Sequence, residues 1–143
     1  MYVITYSSGC DIAKLLVQSG ADINFKTTLG TTAAIEALLM EDIDSAFYLI
    51  VEKKAKVTEP YFYYDLINDN VIDKNDPHYP VDLLLEMTYE IGSEKYYKKM
   101  SIVHEFERQG INYKSRKRDI SNLILRKIKK THPNDWQEFL EKY

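Results

Sequence analysis

Two stretches 34 residues apart match one another: Lys14-Leu15-Leu16-Val17-Gln18-Ser19-Gly20-Ala21-Asp22-Ile23-Asn24 and Tyr48-Leu49-Ile50-Val51-Glu52-Lys53-Lys54-Ala55-Lys56-Val57-Thr58. Each begins with apolar pairs at helical spacing and leaves through a short exit that carries an aliphatic residue, Ile23 or Val57. In the first, Gly20 supplies the residue without a Cβ that tolerates the positive φ ending a helix. Between them, Gly30-Thr31-Thr32-Ala33-Ala34-Ile35-Glu36-Ala37 reads as the start of another helix. Thr32 can cap it, and Ala37 is small enough for a second helix to approach closely.

Working outward, residues 11–18 place Ile12, Leu15, Leu16 and Ser19 at helical spacing. Residues 22–31 carry no such period and read as a turn or hairpin. A helix over 32–40 is interrupted at Glu41-Asp42 and resumes over 43–51. After Pro60, the cluster Tyr61-Phe62-Tyr63-Tyr64 is expected to be helical, followed by a polar loop over 68–77. From Pro80 a helix is predicted through Ile91 to a break at Gly92-Ser93, and a second one ends before Gly110. Asp119 is the expected cap of a helix carrying Ile120, Leu123, Ile124 and Ile128, with Lys and Arg toward its C-terminus. Trp136, Phe139, Leu140 and Tyr143 form the apolar face of a last helix, with Pro133 in its first turn. Six to eight helices with almost no alternating pattern predict an all-α fold.

Composition narrows the class. The 143 residues are 45% hydrophobic and 29% charged, enough to bury a core without a metal or disulfide. The lone Cys10 and the absence of a signal peptide point to a reducing compartment, the cytoplasm. No apolar run approaches the ~20 residues of a bilayer span. Charge is uneven: residues 1–80 hold 6 Lys plus Arg against 12 Asp plus Glu, and residues 81–143 hold 13 against 10. Lys114, Arg116, Lys117, Arg118, Arg126, Lys127, Lys129 and Lys130 concentrate the positive charge.

The first of the two stretches resembles the second helix and exit loop of an ankyrin repeat, which ends in Gly-Ala-Asp-Val-Asn. Residues 30–37 resemble the family's Gly-x-Thr-Pro-Leu-His-x-Ala, with Ala33 and Ile35 in place of the Pro and His. Lys54 replaces the second terminal Gly, and one residue is inserted near Glu41-Asp42. A third copy reads from Tyr79-Pro80-Val81-Asp82 to Glu107-Arg108-Gln109-Gly110-Ile111-Asn112, with both helices about a turn longer than usual. The resemblance implies a short helical-repeat solenoid in one domain, 1–143: recognisable repeats over 1–57, an irregular repeat over 58–112, and capping helices over 113–143. Solenoid ends must cover an otherwise open apolar face, so Tyr2, Val3 and Ile4 are expected to cap the start.

No motif for catalysis is found. His78, His104 and His132 lie more than twenty residues apart and lack metal-ligand spacing with Cys10. His104 reads as a core or boundary histidine and Cys10 as a small buried thiol. Asp73, Asn75 and Asp76 suggest a calcium loop but lack its central Gly and its twelfth-position Glu. Phosphate-binding and nucleophile-elbow motifs are absent. No metal, cofactor or catalytic residue is assigned.

Binding is the better-supported expectation. The ankyrin resemblance implies a protein-binding face on hairpin tips and first helices, which here means Phe25, Lys26, Thr27, Thr28, Glu36, Leu39 and Met40. Tyr61, Tyr63 and Tyr64 with Asp65, Asp69 and Asp73 form a second candidate, because tyrosine brings large area with few rotatable bonds. Tyrosines among carboxylates favour a basic partner. Three functions follow: a protein-interaction module, a small inhibitor or immunity protein neutralising a basic enzyme such as a nuclease toxin, and nucleic-acid binding through residues 114–130. The last lacks interleaved aromatics for base stacking after Tyr113.

Overall fold

The computed structural model describes residues 9–65, 67, 72–117 and 120–143. Among them the fold is all-α, with eight α-helices and no sheet. Helix α1 is Gly9–Gln18, α2 is Ala33–Leu39, and α3 is Ile43–Phe47, which runs on as a π-helical turn, Tyr48–Glu52. Then come α4 (Pro80–Glu86), α5 (Glu94–Arg108), α6 (Tyr113–Arg116), α7 (Asn122–Thr131) and α8 (Trp136–Lys142).

Local chemistry sets the first boundaries. Gly20 lies at φ 91. Its N–H donates to the Val17 carbonyl and the Ala21 N–H to that of Leu16, both at 3.0 Å, which closes α1 in a Schellman motif. Thr32 caps α2, its hydroxyl accepting from the Ile35 N–H at 3.4 Å. Asp42 caps α3 through the Ser45 N–H at 3.2 Å. Lys54 stands 34 positions after Gly20 and also takes a positive φ, 59. Its ammonium lies 3.0 Å from Glu105 on α5.

The exits of successive helices are tied side by side. Asn24 Oδ1 accepts from the Lys56 N–H at 2.9 Å. Gln109 Oε1 accepts from the Val57 N–H at 3.1 Å while its Nε2 donates to the Ala55 carbonyl at 3.0 Å. Beside it, Glu105 is buried and receives hydrogen bonds from Arg108, Lys54 and Gln109. The Arg108 guanidinium, ahead of Lys54 and Gln109, holds that carboxyl down at about 2 despite its burial.

The main core gathers Leu38, Ala46, Leu49 and Ile50 with Val81, Leu84, Ile102 and Phe106. α5 is its axis, packing on α3, the π turn, α4 and α6. A second, smaller core of Ile128, Phe139 and Tyr143 joins α7 to α8.

Several expectations are corrected. Residues 61–64 are extended, not helical: Tyr61 exchanges both backbone hydrogen bonds with His78 at 2.9 Å, and Tyr64 bridges Ile72. Four successive aromatics favour extended backbone. Tyr61 also meets the Tyr63 ring edge to face and packs on the His78 ring across the pairing, which holds the two arms together. The helix from Pro80 stops at Glu86 rather than at Ile91. The residues that follow, Met87-Thr88-Tyr89, include a β-branched and an aromatic residue of low helix propensity, and Met87 turns extended and is 2% exposed. Of the two long helices expected in the third copy, α5 has 15 residues but α4 only 7. Pro133 precedes α8 by three residues, because the chain turns back there to stack His132 on Phe139 at 4.1 Å. The single turn α6, capped by Asn112, carries no expectation from sequence. α7 is capped by Ser121; the expected cap Asp119 and the N-terminal capping residues lie outside the described residues.

Gly30 connects this frame to the surface. At φ 79, a Cβ there would meet the Pro60 carbonyl oxygen at 3.1 Å, and the neighbouring Leu29 carbonyl accepts from the Phe62 N–H at 2.8 Å. Gly30→Ala is therefore expected to cost about 1–2 kcal/mol from backbone strain, read as a lowered urea midpoint with unchanged slope.

Candidate protein-binding surface

The first candidate set lies along α2 and the hairpin before it. Phe25 is 68% exposed and Met40 78%. Lys26, Thr27, Thr28 and Glu36 are exposed, and Leu39 is half-buried. Thr27 is tied into the hairpin: its hydroxyl lies 2.7 Å from that of Thr31, and its N–H donates to the Thr31 carbonyl. Lys26 pairs with Glu59 in the following segment.

Sequence reasoning misses the open apolar face of α1. α1 buries none of its residues, leaving Ile12, Leu15 and Leu16 more than half exposed. Between α1 and the α2–α3 pair runs a groove of about 340 Å³, floored by Ala13, Val17, Ala37 and Leu49 and edged by Ile12, Leu16 and Met40. Its carboxylates are Asp22, Glu36 and Asp42. The signal available was the helical spacing of Ile12, Leu15 and Leu16, which marks an apolar face without saying whether anything covers it. Cys10 sits beside this region half-buried, not fully buried, with its thiol pushed up by burial.

The second set is brought together in part. Tyr63, Tyr64, Asp65 and Asp73, joined by Ile67, Asp76 and His78, surround a depression of about 660 Å³. Tyr63 and Tyr64 are each 48% exposed. Tyr61 is corrected: at 2% exposure it supports this surface from behind, where desolvation and the neighbouring Tyr63 raise its phenol. Asp69 lies outside the described residues. The two sets are linked through the Lys26–Glu59 pair and the Leu29–Phe62 hydrogen bond.

The basic run divides differently. Arg126, Lys127, Lys129 and Lys130 are exposed on α7, Lys129 with its ammonium 4.4 Å from the Trp136 ring centroid, and Arg116 pairs with Asp82 at 2.9 Å. Arg118 is not among the described residues. His104 is exposed on α5, correcting the core or boundary expectation, because its position on the helix faces away from Ile102 and Phe106. Among the described residues no cluster of His, Cys, Asp and Glu could hold a metal ion, and no helix is long and apolar enough to cross a membrane. Compared with family models, curated proteins and solved structures, the chain matches none of them.

Proposed function

We propose that this chain is an ankyrin-like helical-repeat module that binds a partner protein without catalysis. The observation that carries the reading is the apolar groove between α1 and α2–α3, with Phe25 and Met40 exposed nearby and Asp22, Glu36 and Asp42 along it. Exposed apolar surface edged by polar groups is what an interaction site offers. The repeat reading is supported by the matched positive φ at Gly20 and Lys54 and by the Asn24–Lys56 tie between exits. On this reading the irregular third repeat is α4 and α5, and α7 with α8 cap the solenoid. The unpaired Cys10 suits a cytoplasmic setting.

The acids select a basic partner. Charge reversal by Glu36→Lys together with Asp65→Lys is expected to weaken the captured partner at least tenfold, mostly through slower association at low salt. Titration calorimetry at two salt concentrations checks this, and unchanged affinity would remove the surface from the account. A second reading, an inhibitor or immunity protein for a basic enzyme, is favoured by the Tyr63, Tyr64, Asp65, Asp73 and Asp76 depression. Exposed tyrosines among carboxylates suit a cationic active site. Nucleic-acid binding through α7 is the third reading and predicts affinity that falls steeply with salt.

A further inference from the structure

Lys99 lies on the core side of α5, 1% exposed, and among the described residues its Nζ has no hydrogen-bond partner. The hydroxyls of Tyr113 on α6 and of Tyr143 after α8 are also buried and unpartnered. The three belong to one cluster: Lys99 Nζ stands 3.7 Å from the Tyr143 ring centroid and 5.7 Å from that of Tyr113. A second ammonium, Lys117 Nζ, lies 5.3 Å from the same Tyr143 ring.

Count what these groups need. A ring face accepts one N–H, so Lys99 keeps at least one more donor, and both phenols keep theirs. Leaving buried donors unmet forfeits their hydration with nothing in exchange, which is why such groups mark a missing water or ion. Next to them is a cavity of about 460 Å³, lined by Tyr113, Tyr143 and Lys117, and Lys99 lies against the two rings rather than in the wall itself. Among the described residues, the charged and titratable groups around it are His104 and Glu107 from α5, Lys114 and Lys117 from α6 and its end, and Glu141 and Lys142 from α8. Glu86 of α4 acts on Tyr143 from a distance. Lys142 is engaged by Glu138 at 2.5 Å, and Lys117 donates to the Glu141 carbonyl at 3.2 Å.

We propose that this cluster is a binding site for a small oxyanion, a phosphate or a carboxylate, held by Lys99, Lys117 and the hydroxyls of Tyr113 and Tyr143. A water would meet the hydrogen bonds alone, whereas an anion also pairs with the Lys117 ammonium and favours the charged form of Lys99. Glu107 and Glu141 at the cavity wall disfavour an extended polyanion and so select a small one. Binding draws a proton onto Lys99, which burial and Lys117 otherwise keep neutral near pH 7.

The test is thermal unfolding of the full chain in inorganic phosphate, sulfate or acetate against sodium chloride of matched ionic strength. The oxyanions are expected to raise the Tm, sulfate more at pH 6 than at pH 8, since its own charge is constant across that interval. Phosphate and sulfate acting without acetate identify the tetrahedral anion; acetate acting alone identifies the carboxylate. Lys99→Met and Tyr113→Phe should each lose the response. If Lys99→Met does not fold, Tyr113→Phe and Lys117→Gln carry the comparison, together with the Lys99 side-chain nitrogen shift during a phosphate titration of the native chain. Equal Tm in all salts, an undiminished response in the variants, or an unmoved Lys99 resonance would overturn the proposal.

Discussion

From about pH 6 to about pH 9, in buffer free of oxyanions, the stability of this protein rises, and in Lys99→Met it stays nearly flat. In the folded chain the Lys99 amine holds its proton only below about 6, because burial comes first and Lys117 adds to it. In the unfolded chain it holds the proton up to about 10.5. Between these values the unfolded state binds more protons, so raising pH favours the folded state. The gain is about 1.4 kcal/mol per pH unit, on the order of 4 kcal/mol over the interval. Above about pH 10 the trend reverses, since unfolding frees Tyr113 and Tyr143 to ionise and burial raises both in the folded state. Urea unfolding across this range checks the prediction. Equal pH slopes in the two proteins would mean that Lys99 is charged where it stands. A bound oxyanion should shrink the slope of the native protein, which ties this result to the anion site.

Phe106→Ala is the second large effect, an expected loss of about 3–5 kcal/mol. Phe106 is 0% exposed and belongs to the cluster that joins α5 to α3, the π turn and α4. Its carbonyl accepts from the Ile111 N–H at 3.0 Å, closing α5 at Gly110, where φ is 92. That backbone bond survives the substitution, so the loss reports the side chain's packing and the cavity left behind. Denaturant unfolding reads it as a lowered midpoint. A loss under about 1 kcal/mol would show that α5 is not the axis of the core, as that figure marks a site with little packing to lose.

The elements written most plainly in the sequence are those set by local chemistry. Gly20, Thr32, Asp42 and Gly110 each fix a boundary with a cap or a positive φ, and the structure puts helix ends at or beside them. Elements set by tertiary contact were less legible. Residues 61–64 look helical until their pairing with His78 and Ile72 is known. The end of α4 at Glu86 has no Gly or Pro beside it to mark it. The π turn after α3 takes up one residue inside the helix, and no residue type announces it.

The candidate surface divides in the same way. Phe25, Glu36 and Met40 are exposed, Glu36 because it falls between the buried Ile35 and Ala37 of α2. Tyr61 is hidden because its strand-like pairing turns it inward. The open face of α1 was not readable, since periodicity marks an apolar face and not its cover. Lys99 was within reach: it shares three- and four-residue steps with Ile102, Val103 and Phe106, which places a lysine on a buried face.

The most direct measurement of the protein-binding claim is affinity capture of the tagged chain from its own cells. Native protein, a groove variant (Ile12→Arg with Met40→Arg) and an α7 variant (Lys127→Glu with Lys130→Glu) are compared by mass spectrometry at two salt concentrations. The account predicts one stoichiometric protein, retained at both salts by the native chain and the α7 variant and lost from the groove variant. Retention unchanged in the groove variant, or only nucleic acid that is lost from the α7 variant and at the higher salt, would contradict it.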